Sequence, residues 1–339
     1  MAEKSIGNEM LDKLSYKKQN VYESASPEMV KKIFDYADGY VRFLDNAKTE
    51  REAVKTAVRL AEDAGFRSYT LGDKISVGDN LYCNNRGKSV VFIHVGDDDI
   101  ENEGVRIIAS HIDSPRLDIK PIPLYEDSNM CFLKTHYYGG IKKYQWTATP
   151  LALHGVIVKA DGETVDVKIG DEPGDPVFYV NDLLPHLSQK QYGETLGNAI
   201  PGETLNVLIG GMPYADDEVS EKVKLNTLSL LFEKYGICEE DFMSAELTMV
   251  PAFNARDIGF DRALIGAYGH DDKVCSYPAL TALLENKNTN KTVIVVFADK
   301  EETGSDGVTG MQSDILTDII AEISAALGKN ERVVRAHSK

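Results

Sequence analysis

The chain has 339 residues, of which 42% are hydrophobic and 27% charged, and its formal net charge is −17. This length exceeds that of one compact core and predicts two domains. The negative charge argues against binding to nucleic acid and to anionic membrane surfaces, since both need clustered Lys and Arg. The four cysteines form no C-x-x-C pair and the chain start has no apolar signal segment, so we predict a cytoplasmic protein.

The first third of the chain begins with predicted helices and continues with strands. Apolar spacing predicts a helix that has Pro27 in its first turn. Thr49 and Glu52 have the spacing of a capping box and predict the start of a second helix. The apolar runs Ser89–Gly96 and Gly104–Asp113 are typical of core strands. This succession predicts an α/β fold with a mostly parallel central sheet flanked by helices.

The middle of the chain has a different pattern. From about Ile119 to Tyr179, short alternating runs are separated by Gly, Pro and Asp, which predicts a small antiparallel β domain. A polar, turn-rich segment follows, and then an amphipathic helix over Glu221–Gly236. The buried α/β pattern returns after about Asp261. We therefore predict an outer domain made of residues 1–117 and 255–339, and an inserted β-rich domain over 118–254.

The first predicted strand end with possible metal ligands is "ASHIDSPR". His111 and Asp113 lie on one face of an extended segment because side chains alternate along a strand. This spacing suits a histidine ligand whose ring is oriented by a carboxylate. An H-x-D motif alone is nevertheless more typical of an ordinary surface histidine.

A second candidate follows a glycine turn in "AYGHDDKVCSY". Either Asp271 or Asp272 could bridge two cations through its two carboxylate oxygens. The alternative is a helix N-cap, where Asp is also favoured. Both interpretations stay open, one for each residue of the pair.

The third candidate is "VFADKEETGSDG", in which a buried apolar strand ends in Glu301 and Glu302. Adjacent side chains at a strand end diverge, so one carboxylate can bind a metal while the other takes a proton from water. Because ligands in α/β folds converge at the carboxyl ends of strands, the three motifs together predict a metallohydrolase.

"ASHIDSPRLDIKP", "GAYGHDDKVCSY" and "FADKEETGS" resemble, in order and spacing, the three motifs of the aspartyl aminopeptidase family, which belongs to the clan of co-catalytic dizinc aminopeptidases. The resemblance covers nearly the whole chain. It implies a cis peptide bond between Asp271 and Asp272, and an inserted domain that mediates dimerisation within a homo-oligomer. It also implies the following site: His111, Asp271 as a bridge and Glu302 as metal ligands, Glu301 as the general base, Asp113 orienting His111, and His186 reaching a neighbouring active site.

The family completes its metal pair with a further Asp and a further His downstream of the Glu-Glu motif. His337 is a conceivable substitute, but a terminal surface histidine is the simpler interpretation. Asp314 and Asp318 share one helix face and are predicted to be solvated surface charges. The resemblance therefore implies that the family's carboxy-terminal segment is not included in this chain.

The leading functional prediction is a metal-dependent aminopeptidase that uses two divalent metal ions, with zinc expected, and cleaves short peptides. One alternative is another dizinc aminopeptidase or an amidohydrolase of the same clan. The alternative from a different class is an inactive or structural subunit of an oligomer. Predicted partners are peptide substrates and further copies of the chain, but neither nucleic acid nor a membrane.

Overall fold

The computed structural model describes residues 5–286 and 289–338. The first four residues of the segment inspected for a signal sequence lie outside this description. Contacts divide the chain into two compact units, Met1–Arg42 and Phe43–Lys339. The first unit is helical, whereas the second contains the strands and all candidate site residues.

Local sequence signals determine where several helices begin and end. Thr49 and Glu52 form the predicted capping box, each side chain accepting a hydrogen bond from the backbone N–H of the other. One helix begins at Pro27, and another ends at Gly236 with φ 66°. No helix in the described part of the chain is long and apolar enough to cross a membrane. The α-helices are α1 (Ile6–Leu14), α2 (Val21–Ser24), α3 (Pro27–Asp45), α4 (Glu50–Asp63), α5 (Ile100–Glu103), α6 (Gln189–Tyr192), α7 (Lys222–Tyr235), α8 (His270–Glu285), α9 (Ile315–Ala326) and α10 (Glu331–His337).

The strands within the described residues form a five-stranded sheet, a seven-stranded sheet and a two-stranded hairpin. In chain order they are β1 (Arg67–Ser68), β2 (Asn80–Asn85), β3 (Ser89–His94), β4 (Arg106–His111), β5 (Arg116–Asp127), β6 (Met130–Tyr138), β7 (Leu151–Val158), β8 (Thr164–Ile169), β9 (Tyr179–Val180), β10 (Val207–Gly210), β11 (Glu246–Pro251), β12 (Arg256–Ile258), β13 (Leu264–Gly266) and β14 (Val293–Ala298).

The first sheet has the order β1-β2-β3-β14-β4. β14 runs parallel to β4, and β1 runs parallel to β2, whereas β3 is antiparallel to both of its neighbours. The antiparallel pairing of β2 with β3 arises from a tight turn in which Arg86 and Gly87 have φ 59° and 68°. The predicted α/β fold with a separate antiparallel sheet is confirmed, and its central sheet is more mixed than the alternation of helices and strands suggested.

The apolar runs that form β3 and β14 are buried in the core beside the first sheet. β3 is buried along its whole length, and five of the six residues of β14 are buried. Ile294 and Val296 from β14 belong to the same apolar cluster as Ile319 and Ile323 from α9. Full burial of such a side chain stabilises the fold by about 1.5–3 kcal/mol. The end of β14 is therefore held firmly in place, and the candidate glutamates follow it.

The second sheet has the order β8-β7-β11-β5-β6-β10-β9, and all its pairings are antiparallel. Its strands span residues 116–251, so they extend beyond the short alternating runs at about 119–179 and include β10 and β11. α7 lies on this sheet and contributes Val223 to its core. The register of β5 with β6 pairs Arg116 with Tyr138, so the end of β6 lies next to the start of β5.

Candidate metal centre

The pairing of β4 with β14 brings two of the sequence motifs together. The two strands run in the same direction, and Ala298 at the end of β14 is paired with His111 at the end of β4. The backbone N–H of Ile112 donates to the carbonyl of Ala298 and extends the pairing by one step. The turn that carries Glu301 and Glu302 therefore begins beside His111, as expected for residues at the carboxyl ends of parallel strands.

His111 is 9% exposed and has acidic groups at both ring nitrogens. Its Nδ1 lies 3.0 Å from the carbonyl oxygen of Asp113 and 3.3 Å from that residue's carboxylate. A carbonyl can only accept, so Nδ1 carries the hydrogen and Nε2 is available as a metal ligand. Nε2 lies 3.1 Å from the Asp271 carboxylate and 3.8 Å from that of Glu301. Burial alone would lower the pKa of His111, but its contacts with Asp113 and Asp271 raise it to about 9.

Asp113 is fully buried and connects His111 to the turn after β14. Its carboxylate accepts hydrogen bonds from the backbone N–H groups of Glu301 and Glu302, both at 3.2 Å. The hydroxyl of Tyr138 donates a third hydrogen bond at 2.7 Å. Burial would raise the pKa of Asp113, but these donors and the His111 ring outweigh it and lower the pKa. Asp113 is therefore an anion that is well placed to orient His111.

Asp271 lies at the irregular start of α8. Gly269 precedes the helix with φ 79°, and Asp271 and Asp272 have non-helical dihedral angles. The peptide bond between these two residues is cis, as the family resemblance implied. The side chain of Asp271 is 88% exposed, whereas its backbone carbonyl accepts a hydrogen bond from the Ser114 hydroxyl at 3.3 Å. The backbone of Asp271 is therefore tied to the segment that follows His111.

Lys273 stabilises the contact between Ser114 and the backbone of Asp271 from the protein interior. Its ammonium is fully buried and donates to the Ser114 hydroxyl at 2.7 Å. Burial lowers the pKa of Lys273 to about 8, although the carboxylate of Asp113 acts in the opposite direction. Lys273 and Ser114 were not identified from the sequence. A lysine directly after an Asp pair resembles any solvated helix residue until the fold is known.

Glu301 and Glu302 form a short 3-10 turn after Lys300, whose φ is 70°. One ligand atom from each of His111, Glu301 and Glu302 lies within 4.8 Å of the others. Burial, followed by repulsion from Asp113, raises the pKa of Glu302. Within the described residues, this is the group whose side chains approach closely enough to hold a metal ion, and Asp271 adjoins it through His111.

These donors fit a divalent metal. An imidazole nitrogen and several carboxylates match the ligands that zinc accepts. Burial is the largest cause that raises the pKa of Glu302, and repulsion from the negative charges of Asp113 and Asp271 adds to it, so a positive charge beside Glu302 would be favourable. A divalent cation would supply that positive charge. The geometry therefore places His111, Asp113, Asp271, Glu301 and Glu302 near one another, and the roles given to them from the sequence stay predictions.

His186 and His337 do not belong to this cluster. His186 is exposed, as are all residues from 181 to 187, and it lies in the connection between β9 and β10. His337, at the end of α10, is exposed and contacts the carbonyl of Glu101. Asp314 and Asp318 are exposed, as predicted. The predicted cross-subunit role of His186 concerns an assembly of several chains.

The fold and the site define an α/β metallohydrolase with a second, antiparallel sheet. A sequence model of the family described as "Aminopeptidase I zinc metalloprotease (M18)" matches residues 43–339. A probable M18 family aminopeptidase 1 of Clostridium acetobutylicum is 46% identical over 314 residues, which are 91% of this chain and 67% of that relative. The chain therefore belongs to the M18 family of zinc aminopeptidases, which confirms the resemblance and does not favour a purely structural subunit.

Solved structures agree with this assignment. The crystal structure of an M18-family aminopeptidase from Thermotoga maritima is 42% identical, with a TM-score of 0.88 over 95% of this chain and 70% of that one. A more distant structure, the mApe1 dodecamer of Saccharomyces cerevisiae, is 19% identical with a TM-score of 0.70, covering 91% of this chain and 70% of that one. At that identity the second likeness shows the shared fold alone.

Proposed function

We propose that this M18 aminopeptidase removes amino-terminal residues from short peptides, using zinc held by His111, Asp271 and Glu302. The observation that carries the proposal is the close approach of His111, Glu301 and Glu302, with ligand atoms within 4.8 Å of one another. The orientation of His111 supports it further, since Nδ1 donates to the Asp113 carbonyl and Nε2 faces the carboxylate of Asp271, where a bound zinc would replace the Nε2 proton.

We propose two ions, with Asp271 shared between them. The exposed carboxylate of Asp271 has two oxygens, and the one nearer His111 lies 3.1 Å from Nε2. A carboxylate that is bound on one side can reach a second cation with its other oxygen. When bound, zinc polarises a peptide carbonyl and lowers the pKa of water. The remaining chemistry depends on the protein's own side chains.

Glu301 is the proposed general base. Its carboxylate is 59% exposed and lies 3.8 Å from His111 Nε2, so it faces both the cluster and the solvent from which peptide and water arrive. In this role it takes the proton of the attacking water and passes it to the departing amine. Asp113 fixes the backbone N–H groups of Glu301 and Glu302 and thereby sets the direction of both side chains.

We further propose that the chain forms a cytoplasmic homo-oligomer in which the inserted domain, residues 118–254, mediates dimerisation. The dodecameric mApe1 relative supports self-association. The exposed position of His186 allows it to approach a neighbouring copy. The four cysteines are all free, which fits a reducing compartment. Mixing His186→Ala with Glu301→Gln chains tests the arrangement, because mixed oligomers should regain activity that neither variant has alone.

The proposed reaction is tested by metal analysis together with peptide turnover. In a complete enzyme, we expect bound zinc and release of the first amino acid from a free peptide, with no release from the same peptide acetylated at its amino terminus. A chelator should abolish release, and added zinc should restore it. Zinc binding without release of any amino acid would contradict the aminopeptidase activity. Release that a chelator leaves unchanged would contradict the role of the metal.

A further inference from the structure

One residue of the second sheet reaches the proposed metal centre. Tyr138 is the last residue of β6, and the β5–β6 register places it beside Arg116, three residues after Asp113. The next residue, Gly139, lies so close to Glu302 that an added Cβ would be 2.9 Å from its carboxylate. The end of β6 therefore packs directly against the turn that carries the two glutamates.

The hydroxyl of Tyr138 has a defined partner and a defined direction. It is buried and lies 2.7 Å from Oδ2 of Asp113. Burial and the negative charge of Asp113 both raise the pKa of Tyr138, so the hydroxyl keeps its hydrogen and donates it. The same carboxylate oxygen also accepts the N–H of Glu302 at 3.2 Å. Tyr138 thus fixes the rotation of the Asp113 carboxylate from the side opposite His111.

The ring of Tyr138 is itself held by two cations. The guanidinium of Arg116 lies 4.2 Å from the ring centroid, and the ammonium of Lys300 lies 5.3 Å from it. Arg116 is anchored by hydrogen bonds to Glu50 at 2.7 Å and to Asp118 at 2.8 Å. Cations within about 6 Å of an aromatic centroid are attracted to its face. The ring therefore has little freedom to turn its hydroxyl away from Asp113.

We propose that Tyr138 is a positioning residue of the metal centre: its hydroxyl locks Asp113, which in turn holds His111 with Nε2 directed at the metal. This inference rests on the proposed metal centre and extends it to a residue of the second sheet. Partners that orient a metal-bound histidine typically change metal affinity 10–100-fold when they are removed. Because Tyr138 acts through Asp113, the lower end of that range applies.

The test measures zinc affinity by competition with a chromogenic chelator, using the full chain and zinc alone as the probe. Tyr138→Phe should weaken zinc binding about tenfold, since it removes only the hydroxyl and keeps the ring volume. Tyr137→Phe is the matched control, because it removes the same atom from the neighbouring residue, which is 40% exposed and stacks on His136. The control should bind zinc as tightly as the unmodified chain.

A double-mutant cycle separates positioning from a general effect on folding. Asp113→Asn should weaken zinc binding more than Tyr138→Phe, and combining the two should add nothing, because the hydroxyl acts only through that carboxylate. Additive losses would overturn the inference. So would a Tyr138→Phe variant that unfolds at lower temperature without metal yet keeps its zinc affinity. Failure of the unmodified chain to bind zinc would overturn the metal centre itself, and the inference with it.

Discussion

Two groups of ionisable side chains in the second compact unit use charge in opposite ways. At the metal centre, the carboxylates of Asp271 and Glu301 are 88% and 59% exposed and have few protein cations near them. In a second group, the ion cluster formed by Lys48, His154 and Asp171, the side chains are at most 4% exposed. Acidic and basic groups alternate in the ion cluster, whereas acidic groups accumulate at the metal centre.

The contacts of the ion cluster show how it tolerates burial. The Lys48 ammonium lies 2.6 Å from Asp171 and also donates to the carbonyl of Pro251. His154 lies 2.9 Å from Glu52 through Nδ1 and 3.1 Å from Asp171 through Nε2. Neither ring nitrogen meets the geometry of a hydrogen bond, so these two contacts are ion pairs in character. The cluster joins the start of α4 to β7 and to the turn after β8.

This difference in burial and charge balance distinguishes a site that can bind a cation from a cluster that stabilises the fold. Buried charges persist when partners neutralise them, and removing one partner is costly because the other is left unpaired. Exposed carboxylates close to one another cost less, because water screens them, and they remain open to a cation. Changes at the exposed carboxylates of the metal centre, Asp271 and Glu301, should therefore alter chemistry with little effect on folding, and changes in the ion cluster should do the reverse.

The largest effect is expected at Glu301. In a complete enzyme, Glu301→Gln should lower kcat by roughly 10²–10⁴-fold, because the general base is lost, while zinc affinity and the free energy of unfolding change little. Glu302→Gln is the matched comparison and should instead weaken zinc binding, because it removes a ligand. Peptide turnover and zinc titration on both variants measure the two effects. Equal losses of zinc affinity in the two variants would contradict the division of roles.

The next largest effect is expected at Lys48. Lys48→Met leaves the buried Asp171 without its closest cation and should lower the free energy of unfolding by about 3 kcal/mol. His154 and Lys168 stay near Asp171, which is why the lower end of the range for a broken buried pair applies. Denaturant unfolding of the metal-free chain measures the loss. Zinc affinity should be unchanged, and a parallel loss of zinc binding would show that the two groups are coupled.

The sequence was informative about the metal centre for a reason that did not apply to the ion cluster. His111, Asp271 and Glu301 each follow an apolar strand or a glycine turn, and strand ends meet at one edge of a sheet, so local pattern and topology sufficed. Lys48 and Asp171 are 123 residues apart, and neither has a local signal that distinguishes it from a solvated surface residue.

The same limit applies to Tyr138 and to the pairing of the central sheet. Alternation along β6 predicts a strand, but it cannot reveal that the strand ends against Asp113, because that contact follows from the register of β5 with β6. The hairpin turn between β2 and β3 also has no distinctive sequence signal. It reverses the direction of β3, so two of the four strand pairings in the first sheet, β2 with β3 and β3 with β14, are antiparallel. Local patterns identified the core strands β3, β4 and β14 and several helices, whereas contacts between distant segments required the structure.

A smaller effect is expected from pH, and it belongs to the ion cluster. The acidic neighbours Asp171 and Glu52 raise the pKa of His154 against the effect of burial, and the pKa values of both carboxyl groups are lowered. The histidine contribution is complete below its unfolded pKa of 6.5 and is lost as pH rises through the raised value. The carboxylates' contributions to stability are complete above their unfolded pKa values, that is above pH 3.8 for Asp171 and above pH 4.5 for Glu52. They are lost as pH falls through the lowered pKa values of the folded state.

The free energy of unfolding, measured across pH, should therefore include the complete stabilising contribution of these ionisable groups between about pH 4.5 and pH 6.5. His154→Gln should remove the decline above pH 6.5 that the histidine causes, and it should leave the acid-side decline in place. The difference between the two profiles isolates the histidine from every other titrating group. Parallel profiles above pH 6.5 would contradict the assignment of a charged His154.

The smallest effect is expected at a pair that differs from Lys48–Asp171 mainly in its exposure. Lys55 of α4 lies 2.6 Å from Asp166 of β8, so both pairs join the α4 region to the β8 region across the same short distance. The side chains of Lys55 and Asp166 are 69% and 65% exposed. Exposed ion pairs typically contribute about 0–1 kcal/mol, because water screens the charges and both side chains lose freedom.

Lys55→Met should thus change the free energy of unfolding by less than about 1 kcal/mol, and 1 M salt should reduce even that difference. The same unfolding experiment serves both lysine variants, and the chemical change is identical in each. If Lys55→Met destabilised the chain as much as Lys48→Met, burial would not be what makes the ion cluster costly to break. The contrast with the open carboxylates of the metal centre would then have to be explained by the number of neighbouring cations alone.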